Sequence, residues 1–177
     1  MEIVDANSIE FLRDQVSKAQ SAGNGLAEGA VKEVKAKART LRHFTETGIK
    51  RVIPDNHDVL SWLVPFAANS INWSRRGADG KTPFELRFGK AFRRVVAPWG
   101  QSVSWMTAGK QTSQAGALSR WQEGIFLGIF NFGNGAQDYV IGTPGGVETA
   151  RAIKLKPLGE AWDAELLLSV RGKPWDR

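Results

Sequence analysis

The chain has 177 residues, 42% of them hydrophobic, with no cysteine, two histidines and a net charge of +6. These values exclude a disulfide framework and a cysteine-ligated zinc centre, and they leave carboxylates as the ligands for any metal, which would then be a hard cation. No apolar run approaches the length of a membrane span, and the opening MEIVDANSIEF lacks a basic-then-apolar leader, so an intracellular protein, nuclear or cytoplasmic, is expected. Charge is unevenly spread. Residues 1–94 carry 16 Lys/Arg and 11 Asp/Glu, whereas residues 95–177 carry eight and seven. Basicity concentrated in 32–51 and 75–94 favours a polyanionic partner on one face; the alternative is a soluble basic domain without one.

Taken in chain order, residues 8–20 place Ile9, Leu12 and Val16 at helical spacing, with Ser8 as N-cap. Residues 21–25 (SAGNG) read as a flexible break. A longer helix is predicted over 26–46, with Leu26, Ala30, Val31, Val34, Ala38 and Leu41 as its apolar stripe and Gly48 as its stop. Pro54 and Asp55 open a further helix, 56–74, apolar on most sides and kinked at Pro65. GADGKTPFELRFGK reads as a turn followed by a short helix, and Arg93-Arg94 close a basic linker.

From about residue 95 the pattern turns to short β-type runs: VVAPWGQSVSWMT, RWQEGIFLGIF, DYVIGT and VETARAIKL. Asn134-Gly135 and Pro144-Gly145-Gly146 supply turn chemistry. Four or five short strands suggest a small barrel. Trp99, Trp105, Trp121 and Tyr139 read as its core, the alternative being stacking platforms for bases, and Arg120, Arg151, Lys154 and Lys156 read either as ordinary surface charge or as one basic edge. The tail beyond 158 is an amphipathic stretch, read either as a linker or as a helix over 160–169 packing back on the barrel.

Within GNGLAEGAVKEVKAKARTLR, Glu28 sits at the mouth of a basic helix, with Lys32 and Lys35 at i+4 and i+7. A solvated helix accommodates this readily, since the macrodipole favours an early acid and Glu–Lys pairs at i,i+4 stabilise any exposed helix. The flanking motifs point elsewhere. A glycine, two residues and a glutamate opening a long basic helix resemble a segment of retroviral and retrotransposon integrases. DGKTPFELRFGK is similar to the element that follows their catalytic core, and WQEGIFLGIFNFGNGAQDYVIGTPGGVETARAIK resembles the post-core segment of copia-type elements. The three occur in the family's order over roughly residues 23–156.

That resemblance implies an α+β chain: the helical C-terminal remnant of a ribonuclease-H-like core (1–90), then a small SH3-like β-barrel (91–158) and a tail (159–177). It implies DNA integration by phosphoryl transfer at two Mg²⁺ or Mn²⁺ ions, with Glu28 as the last metal-binding carboxylate. Lys32, Lys35, Arg39, Arg42, Arg75, Arg76, Arg93 and Arg94 would contact DNA phosphates without sequence preference, and other integrase subunits are further expected partners. The family also requires two aspartates ahead of the glutamate. Only 27 residues precede Glu28, so one is missing here, and Asp5 is the sole weak candidate for the other. The family's zinc module has no counterpart in the sequence. A fragment that binds DNA without being a competent enzyme is therefore expected; the alternative is a non-catalytic protein-interaction module or a decayed remnant.

Overall fold

The computed structural model describes residues 21–107, 121–131 and 137–176, with the backbone alone at 21–24, 107, 131 and 137. The predicted helix 8–20, Asp5, Arg120 and the Asn134-Gly135 turn fall outside the described residues. Helix and sheet are mixed: helices α1 (Ser21–Ile49), α2 (Leu63–Ser74), α3 (Pro83–Phe88) and α4 (Ala164–Ser169), a 3₁₀ turn (Asp58–Trp62), and strands β1 (Ser102–Thr107), β2 (Trp121–Asn131), β3 (Gln137–Thr143) and β4 (Gly146–Leu155).

The chain divides into two units, Met1–Glu33 and Val34–Arg177. The described part of the first is the beginning of α1, where residues 25–32 are all exposed. The break predicted at 21–25 is helical instead. Each glycine costs a helix about 1 kcal/mol, but extending an existing helix avoids the nucleation penalty, and propagation outweighs the local loss.

In the second unit α1 turns a stripe inward. Ala38, Thr45 and Ile49 are buried and Val34 and Leu41 half-buried, three or four residues apart, as a helix with one covered face requires. Gly48 does not stop the helix, which runs one residue further. Its role is space: a Cβ there would lie 2.5 Å from the Trp162 ring, so only glycine lets that indole lie against the backbone. The stop is made by Lys50, in the left-handed conformation at φ 53°. Its N–H reaches the Thr47 carbonyl at 3.3 Å, and the Arg51 N–H reaches the Glu46 carbonyl at 3.2 Å, the two bonds of a Schellman ending.

The helix predicted over 56–74 is a 3₁₀ turn that becomes α-helical at Leu63. Pro65 therefore occupies the first turn of α2, where its missing N–H removes no internal bond. His57 caps the 3₁₀ turn, its Nδ1 accepting from the Val59 N–H at 3.2 Å. Helix α3 follows the predicted short helical piece closely and is bounded at both ends by its own sequence. Thr82 and Glu85 form a reciprocal capping box, Pro83 stands at the first helical position, and Gly89 at φ 67° ends it.

The four strands pair antiparallel, β1 with β2, β2 with β3, β3 with β4 and β4 with β1, so the pairing order closes on itself. Residues Gly124 to Ile129 of β2 are buried without alternation, because both faces of that strand are covered. One of those covers is α2: the Phe66 ring meets Phe126 edge-on at 5.8 Å, and Trp62 lies 5.8 Å from Phe130. Trp99, Trp105 and Tyr139 are core residues as predicted, whereas Trp121 is half-buried beneath the Lys154 ammonium, 4.0 Å from its ring.

The stripe of α1 and the apolar face of α2 share one core with the strands, running from Ala38 to Val170. Residues 90 and 91, between which the resemblance sets a boundary, both lie in the second unit. The tail belongs to that unit too. Leu167 and Val170 are fully buried, Trp62 Nε1 donates to the Gly172 carbonyl at 2.9 Å, and the Gly172 N–H donates to Asp58 at 3.0 Å.

Gly48→Ala is expected to destabilise the chain by about 1–3 kcal/mol in urea unfolding, because overpacking against Trp162 outweighs the gain in helix propensity. Gly29→Ala, where nothing lies within 4 Å, should show the opposite sign and raise helicity measured by circular dichroism.

Candidate nucleic-acid interface

The predicted cations separate into two groups by what their side chains do. In the first unit Glu28 and Lys32 are exposed one helical turn apart on α1. In the second unit Lys35 and Arg39 repeat that spacing and are also exposed. Lys32, Lys35, Arg39 and Arg93 have no ion-pair partner among the described residues. Such cations can meet an external anion without first breaking an ion pair.

Arg42 behaves differently. Its Nε donates to Glu46 at 2.9 Å, and its Nη2 reaches both the Ile53 carbonyl and the Asp55 carboxylate at 2.7 Å. Glu46 accepts the Ile53 N–H as well, at 3.0 Å. The guanidinium thus bridges α1 to the loop that follows it, and the hydrogen bonds to Glu46 and then Asp55 raise its pKa further. Expected as a phosphate contact, Arg42 is occupied as a structural fork. Arg94 is similarly committed: its guanidinium lies 4.3 Å from the Tyr139 ring and donates to the Arg151 carbonyl at 3.2 Å. Arg76 donates to the Gly80 carbonyl at 2.6 Å and faces Glu85 at 3.8 Å, holding the turn before α3. Arg75 is exposed and has a partner of its own. On the sheet, Arg151 and Lys154 are exposed, and Lys156 is paired with Glu123 at 2.7 Å.

No three His, Asp or Glu side chains among the described residues converge as metal ligands. Glu28 points into solvent on an exposed helical turn, and Asp5 lies outside the described residues. The described side chains therefore do not fit a two-metal centre, and no catalytic step is derived from them. No described helix is long and apolar enough to cross a membrane.

Sequence reasoning passed over Lys81, Arg87, Lys90 and Phe88. All four are exposed in the segment around α3. The signal was present in ELRFGKAFRR, where aromatic and basic residues interleave.

Within that segment Glu85 accepts the Thr82 N–H at 2.7 Å while its own N–H donates to the Thr82 hydroxyl at 3.1 Å. The Thr82 backbone bond, with help from that hydroxyl, Arg76 and Lys81, holds the Glu85 carboxyl below the ordinary carboxylate value despite some opposing desolvation. No family model matches the chain, and neither the curated proteins nor the solved structures contain a match to it.

Arg42→Ala is expected to cost about 1–2 kcal/mol in unfolding experiments, from charged hydrogen bonds tempered by partial exposure. Lys35→Ala and Arg39→Ala should leave stability within about 0.5 kcal/mol. Because the Glu85 pKa is depressed on folding, its contribution is present above the unfolded value near about 4.3 and fades as pH falls through the folded one. Acid titration of thermal stability should therefore show wild type and Glu85→Gln separated at neutral pH and converging in acid.

Proposed function

We propose that this chain is a C-terminal fragment of a copia-type integrase that binds DNA through its phosphate backbone. On this reading the helices derive from the end of a ribonuclease-H-like core, and the closed four-strand ring is a small barrel of SH3 type. The order of three motifs supports the family assignment: Glu28 at the head of a basic helix, the Thr82-Pro83-Phe84-Glu85 element, and the Gly-Ile-Phe-Leu-Gly strand at Gly124–Gly128. The observation that carries the binding reading is that exposed cations, Lys32 in the first unit and Lys35, Arg39 and Arg93 in the second, have no ion-pair partner among the described residues. Strand transfer at divalent ions is the family's activity, and the described residues are assigned binding without it. Subunit contacts with other integrase copies are a second expectation of the same reading.

Phosphate contacts release counterions, so affinity falls steeply with salt and the slope counts the contacts. Titration of a short labelled duplex at several salt concentrations should give a steep slope for wild type. Lys32→Glu/Lys35→Glu should flatten it by about two contacts. An absence of binding at low salt would overturn the reading in favour of a protein-interaction module.

A further inference from the structure

We infer that the segment Arg75–Arg94 forms a binding surface for single-stranded nucleic acid, in which an unpaired base stacks on Phe88. This deepens the DNA-binding reading and rests on it. The segment contains seven Lys/Arg and two Asp/Glu, a surplus that accounts for most of the net charge of the whole chain. Both acids are used internally. Glu85 closes the capping box and faces Arg76, and Asp79 accepts the Lys81 N–H at 3.1 Å. Lys81, Arg87, Lys90 and Arg93 are left exposed without an ion-pair partner among the described residues.

An aromatic side chain stands among these cations. Phe88, the last residue of α3, is 45% exposed. Its ring lies 4.6 Å from Phe84, Phe84 lies 5.1 Å from Phe92, and Phe92 stacks on Trp73 at 4.5 Å with only 9° between the planes. The platform is therefore supported from behind, and a base stacking on it would not have to order a loose side chain. The Arg87 guanidinium sits 5.3 Å from the centre of the Phe88 ring, within reach of a base or its phosphate.

The pairing of exposed ring and unneutralised cations selects the partner. A duplex presents phosphates outside and hides its base faces, so it engages the cations and leaves Phe88 unused. An unpaired strand offers both, and stacking tolerates any base. An acidic peptide would satisfy the charge, but nothing about it calls for a ring face bordered by a guanidinium.

Fluorescence anisotropy on the full chain tests this, with a labelled oligothymidylate of about 15 nucleotides beside a duplex of equal length. Phe88→Ala is expected to weaken the single strand by about 5- to 100-fold and the duplex by less than about 2-fold. Phe88→Trp should keep single-strand affinity, which separates loss of stacking from loss of folding. Equal weakening of both ligands, or unchanged single-strand binding in Phe88→Ala, would overturn this inference while leaving the duplex reading intact. Failure of wild type to bind either ligand at low salt would overturn both. Binding of a labelled acidic peptide in place of the single strand would overturn it in favour of a protein partner.

Discussion

Much of the second unit depends on the contact between Phe66 and Phe126. It is where the outer face of β2 meets α2, and rings extend from it both ways. Towards the sheet, Phe126 approaches Tyr139 at 6.3 Å, and the far side of Tyr139 is covered by Arg94. Towards the helices, Phe66 meets Trp73 at 6.2 Å, and Trp73 carries Phe92, Phe84 and finally Phe88. Large rings bury much apolar area per residue and prefer offset or edge-on geometries, so a succession of them transmits position as well as stabilising energy. The exposed ring at one end is thus placed by packing that begins inside the strand ring.

This arrangement explains how helices without a sheet of their own remain ordered. The apolar face of α2 meets β2 through Phe66 and Phe126, and the inward stripe of α1 joins the same core, its Thr45 hydroxyl donating to the Trp99 carbonyl at 2.8 Å. Glycine permits close approach of the C-terminal segment at Gly48, where the Trp162 indole lies against α1, and at Gly142, where a Cβ would lie 2.7 Å from the Val170 side chain. That segment therefore docks on both the helical and the strand elements. The Asp58, Trp62 and Gly172 hydrogen bonds then secure its end.

The same packing sorts the basic residues. A guanidinium next to a carboxylate and an unpaired carbonyl becomes a structural fork, as Arg42 does, because its planar donors match several acceptors at once. A lysine or arginine one or two turns away on the solvent side, such as Arg39 or Lys35, meets no such acceptor among the described residues. Charge counted along the chain cannot make that distinction, because it depends on which carboxylates the fold brings near.

Local patterns determined a good deal without help. Short β-type runs located β2, β3 and β4 to within one residue and placed β1 at the end of a longer run, and Thr82-Pro83-Phe84-Glu85-…-Gly89 specified both ends of α3. These signals work because hydrogen bonding and backbone preference act over a few residues. The interior rings Trp99, Trp105 and Tyr139 were legible too, since large aromatics within strands are costly to leave in water. What the sequence could not convey was which face meets which. That α2 covers β2 while α1 joins the same core, that Gly48 makes room for Trp162 instead of ending a helix, and that Arg42 is paired while Lys35 has no ion-pair partner among the described residues are all consequences of long-range contacts. Residues such as Arg42 and Asp55, or Asp58 and Gly172, are brought together only when the core closes, and no local pattern records that closure.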